Sequence, residues 1–117
     1  MKPEAADYLR AGLSAMGLRH RVLANNIANL NTPGFRRGQV QFEPLLAEAI
    51  KSGKAPDEVQ PLLGCSSRDA SDPSANDVDL DTEVGELVRT STMYKAYFRL
   101  LGKLMRQMDL AIHTEGT

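Results

Sequence analysis

Leu9, Leu13, Met16, His20, Leu23, Ile27 and Leu30 are spaced 4, 3, 4, 3, 4 and 3 positions apart, an apolar row interrupted by one imidazole. That alternation is what a helix shows when it presents one seam to a neighbour. A second row repeats it through Leu80, Val84, Leu87, Ser91, Tyr94, Phe98, Leu101, Met105, Met108 and Ile112, with Ser91 its only polar member. The pattern predicts two long helices, over residues 7–30 and 80–113, of roughly 36 and 50 Å at a rise of about 1.5 Å per residue. Neither helix can bury its stripe alone. The expected fold class is therefore all-α, with the two long terminal helices pairing antiparallel in a coiled-coil-like arrangement and leaving apolar surface for other subunits.

The segment between them, residues 31–79, reads as a turn, short elements and a flexible loop. Gln39-Val40-Gln41-Phe42 alternates polar and apolar, which is compatible with a brief strand, and Leu45, Leu46, Ala49 and Ile50 fit one or two helical turns. From Ser52 to Asn76 the glycines, prolines and serines break any regular pattern, so this stretch is expected to be loop or disorder. The 117 residues are read as a single domain.

The helix boundaries carry the most specific residues. The first helix closes on Asn25, Asn26, Asn29 and Asn31, residues whose amides compete with the backbone and favour helix ends. Thr32-Pro33-Gly34-Phe35 follows. Pro33 pushes Thr32 out of the α region, and Pro33-Gly34 has the residue order of the two central positions of a type II turn, which requires positive φ at Gly34. Ahead of the second helix stand Asp77, Val78, Asp79, Leu80 and Asp81, with Glu83 one turn in; Lys103 and Arg106 lie near its far end. This is the charge order favoured by the helix dipole, and Asp79 or Asp81 is the expected cap.

Composition narrows the chemistry. With 5% aromatic residues and no tryptophan, the core must be aliphatic and thin. No stretch approaches the ~18 apolar residues of a membrane span, and Met1-Lys2-Pro3-Glu4 does not open a secretory signal, so ordinary rules place the chain in the cytoplasm with no direct membrane span. Cys65 is the only cysteine and His20 and His113 the only histidines, which gives neither an intramolecular disulfide nor zinc-ligand spacing. Asp77, Asp79 and Asp81 imitate the opening of a calcium loop, but Thr82 replaces the required glycine and Val88 the closing glutamate. No metal or other cofactor is expected.

No histidine accompanies a serine or cysteine motif, and no glycine-rich phosphate loop occurs, so the chain does not read as an enzyme. His20 reads as a packed or half-exposed imidazole on its helix. Lys95, Arg99 and Lys103 form a basic row, but without base-reading features it reads as a solvated face or protein contact rather than a nucleic-acid site. Residues 1–40 carry a net charge of +4, residues 41–83 of −7 and residues 84–117 of +2. Basic ends and an acidic middle fit either an assembly that juxtaposes them or a solvated distribution.

Taken with its position, the run Asn25, Asn26, Asn29, Thr32, Pro33, Gly34 and Phe35 resembles the N-terminal signature of the flagellar axial proteins, the rod, hook and hook-junction subunits. The block Asp77, Val78, Asp79, Leu80 and Asp81, followed by one long helix, resembles the basal-body rod proteins of the proximal part of that axis. The two blocks and their helices cover roughly two thirds of the chain. The resemblance implies a structural subunit that polymerises through its terminal helices into part of the proximal drive shaft. Implied partners are copies of itself, other rod subunits, the membrane ring complex with its rod adaptor, and the flagellar type III export apparatus. The implied location is the periplasmic rod, reached without a cleaved signal, in place of the cytoplasm. Another short rod subunit, or a freestanding coiled-coil adaptor, is the competing reading.

Overall fold

The computed structural model describes residues 5–66 and 75–115; the remainder of the segment read as loop, residues 67–74, lies outside them. Helix α1 runs Ala5–Ala28, strand β1 Gly38–Gln41, helix α2 Glu43–Ser52, strand β2 Leu62–Cys65 and helix α3 Leu80–Glu115, with a single 3-10 turn, Pro56–Glu58, between α2 and β2. The two terminal helices dominate a molecule of 69 × 26 × 14 Å. Its radius of gyration, 18.4 Å, exceeds the ~14 Å of a compact chain of this length.

Contacts between α1 and α3 run in opposite chain directions. Asn26 meets Glu83, Met16 and Thr90 line a common groove, Gly12 lies over Tyr97, and Ala6 shares a groove with Leu104 and Met108. The Gly12 contact needs the missing side chain. A Cβ there would stand 2.9 Å from Tyr97 Cε2, inside any normal carbon contact.

The fold is not strictly all-α. β1 and β2 pair antiparallel, Gly38 with Cys65, Gln39 with Gly64, Val40 with Leu63 and Gln41 with Leu62. β1 coincides with the polar–apolar alternation around Val40. β2 falls within the stretch expected to be loop because Leu62-Leu63-Gly64-Cys65 has no alternation and lies entirely exposed, so no hydrophobic period marks it. Its pairing is non-local, and that is what makes it a strand. The same stretch also holds the Pro56–Glu58 turn, in which the Val59 N–H donates to the Pro56 carbonyl.

The core is small, as an aromatic-poor composition implies, but it is not aliphatic as expected: Phe42 is its largest fully buried side chain, and two of the three tyrosines pack on it. Ala15, Met16, Phe42, Ala49 and Val59 are its buried members, with Tyr8, Ala11, Leu45, Leu46, Met93 and Tyr97 packed around them. It sits where α2 and the 3-10 turn lie across α1. Pro44 opens α2, and Gly53, at φ 72°, closes it in the left-handed conformation. The Tyr8 hydroxyl donates to the Lys54 carbonyl at 2.7 Å, holding that corner to the first turns of α1. Among the described residues, no helix is long and apolar enough to cross a membrane.

Candidate functional site: the junction of the two motifs

The end of α1, the turn after it and the start of α3 lie together, so the Asn-rich block and the Asp-rich block form one polar junction. Asn26 is its centre. Completely buried, it donates from Nδ2 to the Gly38 carbonyl and to Glu83 Oε2, both at 3.0 Å, and accepts at Oδ1 from the Gly38 N–H at 2.8 Å. One side-chain amide thus takes both backbone groups of a β1 residue, as a neighbouring strand would. A buried amide with these partners specifies one arrangement and is costly to leave half-satisfied.

Glu83, also fully buried, divides its carboxylate between Asn26 and Arg37, whose Nε lies 2.6 Å from Oε1. The Arg37 backbone N–H donates to Asp77 Oδ1 at 2.7 Å, and the Ser66 hydroxyl donates to Asp77 Oδ2. Asp77 therefore ties the start of β1 to the residue just past β2. Asn76 works on the other side: Nδ2 donates to the carbonyls of Asn29 (2.7 Å) and Thr32 (2.8 Å), and Oδ1 accepts from the Val78 N–H (2.8 Å). Those two carbonyls belong to the turn that follows α1, where each already accepts one backbone N–H, from Thr32 and Phe35, so Asn76 supplies the second donor.

The turn itself is closed by the Phe35 N–H donating to the Thr32 carbonyl at 3.3 Å, with Gly34 at φ 75°. This is the type II geometry that Pro33-Gly34 encodes. Asn29 Nδ2 donates to the Asn25 carbonyl at 2.8 Å, and Asn29 Oδ1 accepts from the Thr32 hydroxyl at 3.1 Å. Asp79 stands just before α3: its carbonyl accepts from the Glu83 N–H at 2.9 Å and its carboxylate from the Thr82 hydroxyl at 2.8 Å. Asp81 and Leu80 are exposed and Val78 is half-buried. Asn25 and Phe35 border the junction, lining with Asn26 and Gly38 a groove that extends to Val22, Leu63 and Cys65.

A second ion pair lies about two helical turns towards the core. Both Arg19 guanidinium Nη atoms reach the Glu43 carboxylate, Nη2 at 2.7 Å from Oε2, and Nη2 also donates to the Val40 carbonyl at 2.8 Å. The hydrogen bond to Arg19 holds the Glu43 carboxyl below its ordinary value against the opposing effect of burial. The same bond raises Arg19 above its own. Among the described residues, no buried side-chain nitrogen or oxygen lacks a hydrogen-bond partner. Such a saturated cluster fixes geometry.

The apolar rows divide between inside and outside. On α1, Met16 and Leu23 are buried, Leu9, Leu13 and Ile27 half-buried, and His20 exposed, while Leu30, expected to close the helix, lies half-buried in the turn after Ala28. On α3, Leu87 and Leu101 are half-buried, whereas Leu80, Val84, Tyr94, Phe98, Met105, Met108 and Ile112 are exposed. Glu83, Thr90 and Tyr97 supply contacts to α1, so the face α3 turns inward is more polar than its apolar row. Sequence reasoning did not find Glu83, Arg37, Ser66, Arg19 or Glu43. Glu83 was hidden among carboxylates that the helix dipole already explained; its one signal is a flanking position beside the Leu80–Val84–Leu87 row, matching that of Asn26 beside Leu23 and Ile27.

Residues 9–36 match the family model described as flagella basal body rod protein. The flagellar basal body rod protein FlgB of Bacillus subtilis is 30% identical over 81% of this chain and 83% of its own length. FlgB of Borrelia hermsii is 24% identical over 92% of this chain and 95% of its own. The flagellar basal-body rod protein FlgG of Caulobacter vibrioides, a longer protein, is 31% identical over 97% of this chain but only 38% of its own length. With both motif blocks joined in one junction and full-length relatives of that name, the chain belongs to the flagellar basal body rod protein family.

Proposed function

We propose that this chain is a structural subunit of the flagellar basal-body rod that polymerises through its terminal helices to form part of the proximal drive shaft. The observation that carries this reading is the outer face of α3. Tyr94 and Phe98 stack with ring centroids 6.5 Å apart, yet Phe98 is 62% exposed, and Met105 and Ile112 continue the exposed apolar row. Burying such a row on a neighbour removes apolar area from water at about 25 cal/mol per Å². Head-to-tail contacts that do not close generate a helical polymer. Other rod and hook components are its partners, and it acts by shape and contact rather than by catalysis. The membrane ring complex, its rod adaptor and the type III export apparatus, together with a periplasmic location reached without a cleaved signal, complete the proposal.

Phe98→Asp tests it. The residue is exposed, so the monomer should keep its helical circular dichroism, while rods isolated from cells carrying the variant as their only copy should lack the subunit. Normal basal bodies in those cells would remove α3 from the assembly surface. A wild-type chain absent from basal bodies altogether would instead favour a freestanding adaptor.

A further inference from the structure

The small sheet has two edges, and the fold treats them differently. Register assigns the outward backbone groups of β1 to Gly38 and Val40 and those of β2 to Leu63 and Cys65, the residues that sit opposite them. On β1 both outward positions are engaged: Asn26 takes the N–H and carbonyl of Gly38, and Arg19 takes the carbonyl of Val40. Helix α1 therefore closes that edge with side chains. On β2, among the described residues, nothing pairs with the outward groups of Leu63 or Cys65. This edge also lacks the usual protections. It carries no lysine or proline, and Leu62 and Leu63 stand 54% and 65% exposed.

Beside the open edge lies the groove that holds Phe35, the aromatic of the motif. Phe35, Val22 and Leu63 give it an apolar floor, and Arg21 and Arg36 line it as well. Neither arginine has a carboxylate partner among the described residues. Unpaired backbone groups call for an extended chain, the floor for an apolar side chain pointing inward, and the two cations for a carboxylate on the same segment.

We propose that the outer edge of β2 is a strand-addition site, completed by an extended, carboxylate-bearing segment of a neighbouring axial subunit, with Phe35 and the arginines selecting its side chains. The proposal rests on the rod-subunit reading for the source of that strand, and on the sheet edge alone for its chemistry. It gives Phe35 a role between subunits, where Asn26, Asn29 and Gly34 act within one.

Leu63→Pro is the direct test, because it removes an outward N–H that β1 does not use, and proline is tolerated at such edge positions. The purified variant should retain hydrogen-exchange protection at Gln39 and Gln41, while cells carrying it alone lose the subunit from their basal bodies. Should protection at Gln39 and Gln41 also fall, the exposed pair Arg21→Glu with Arg36→Glu serves instead, and should likewise abolish incorporation. A photo-crosslinking residue at position 63 should join, in isolated basal bodies, to an extended segment bearing Asp or Glu. Crosslinking to a helix or to position 63 of a second copy, or normal incorporation of the edge variants, overturns the proposal. Absence of the wild-type chain from basal bodies defeats the rod reading, whereas presence of both wild type and Leu63→Pro defeats only the strand-addition site.

Discussion

Asn26 and Glu83, 57 positions apart, meet fully buried, with the Asn26 Nδ2 3.0 Å from Glu83 Oε2. Between them they hold the end of one terminal helix against the beginning of the other, and each also reaches the start of β1, through Gly38 and through Arg37 just before it. The pair is where the two sequence motifs become one structure.

Removing Glu83 should be more damaging than removing Arg37. Glu83→Ala strands both the Asn26 amide and the Arg37 guanidinium, and losing one member of a buried pair costs about 3–5 kcal/mol. Hydrogen exchange at the Gly38 amide should accelerate by about two to four orders of magnitude. The double variant Arg37→Ala, Glu83→Ala should cost less than the sum of the single changes; strict additivity would show that the two do not act together.

The turn makes a second prediction. Gly34 sits at φ 75°, where a β-branched residue is strained by about 1–3 kcal/mol. Gly34→Val should therefore redirect the chain beyond Phe35, loosen β1 in exchange measurements and abolish motility. Gly34→Asn, which tolerates positive φ better, should retain most of it. Swimming by cells with Gly34→Val as their only copy would count against the turn's role.

Acid should loosen the α2 corner through Glu43. Its folded-state pKa lies below the ordinary 4.5 because of the Arg19 hydrogen bond, so the stabilisation is present above that value and lost as pH falls through the lower one. Arg19, raised from an already alkaline value, adds no slope in this range. Melting followed from pH 6 down to pH 3 should show a decline that Glu43→Gln flattens. Equal slopes for the two proteins would exclude this pair as the cause.

Packing between the long helices can be tested at Gly12. A leucine there meets the Tyr97 ring, whose Cε2 would already be 2.9 Å from the new Cβ, and overpacking of this kind costs about 1–3 kcal/mol. Gly12→Leu should lower the melting temperature, and Gly12→Leu with Tyr97→Ala should recover part of the loss. No recovery would place the strain elsewhere.

Where the local signal was strong, the sequence was a good guide. The 4–3 spacing of Leu9 through Leu30 announces α1, Pro33-Gly34 announces a turn with positive φ, and the acidic run before Leu80 announces a helix start. What it left hidden depends on distant partners. β2 is a strand only because β1 lies beside it. The rotation of α3 could not be read from its apolar row, because Glu83 and Thr90 enter the contact with α1 while Phe98 stays outside. The junction was legible as two motifs but not as one site, since nothing in Asn26 or Asp77 alone says what each will bond.

The junction draws on residues spread from Asn26 to Glu83, and that spread sets when it can close. A chain appearing progressively from either end must have this whole interval free before the last bond can form. Until then the Asn26 amide and the Arg37 guanidinium both lack the Glu83 carboxylate that joins them, and a shorter fragment holds only the bonds around β1. Loop closure over such separations slows folding but makes its final step all-or-none. The lock thus closes only once Glu83 is in place: a chain cut short before that residue cannot hold the end of α1 to the start of α3.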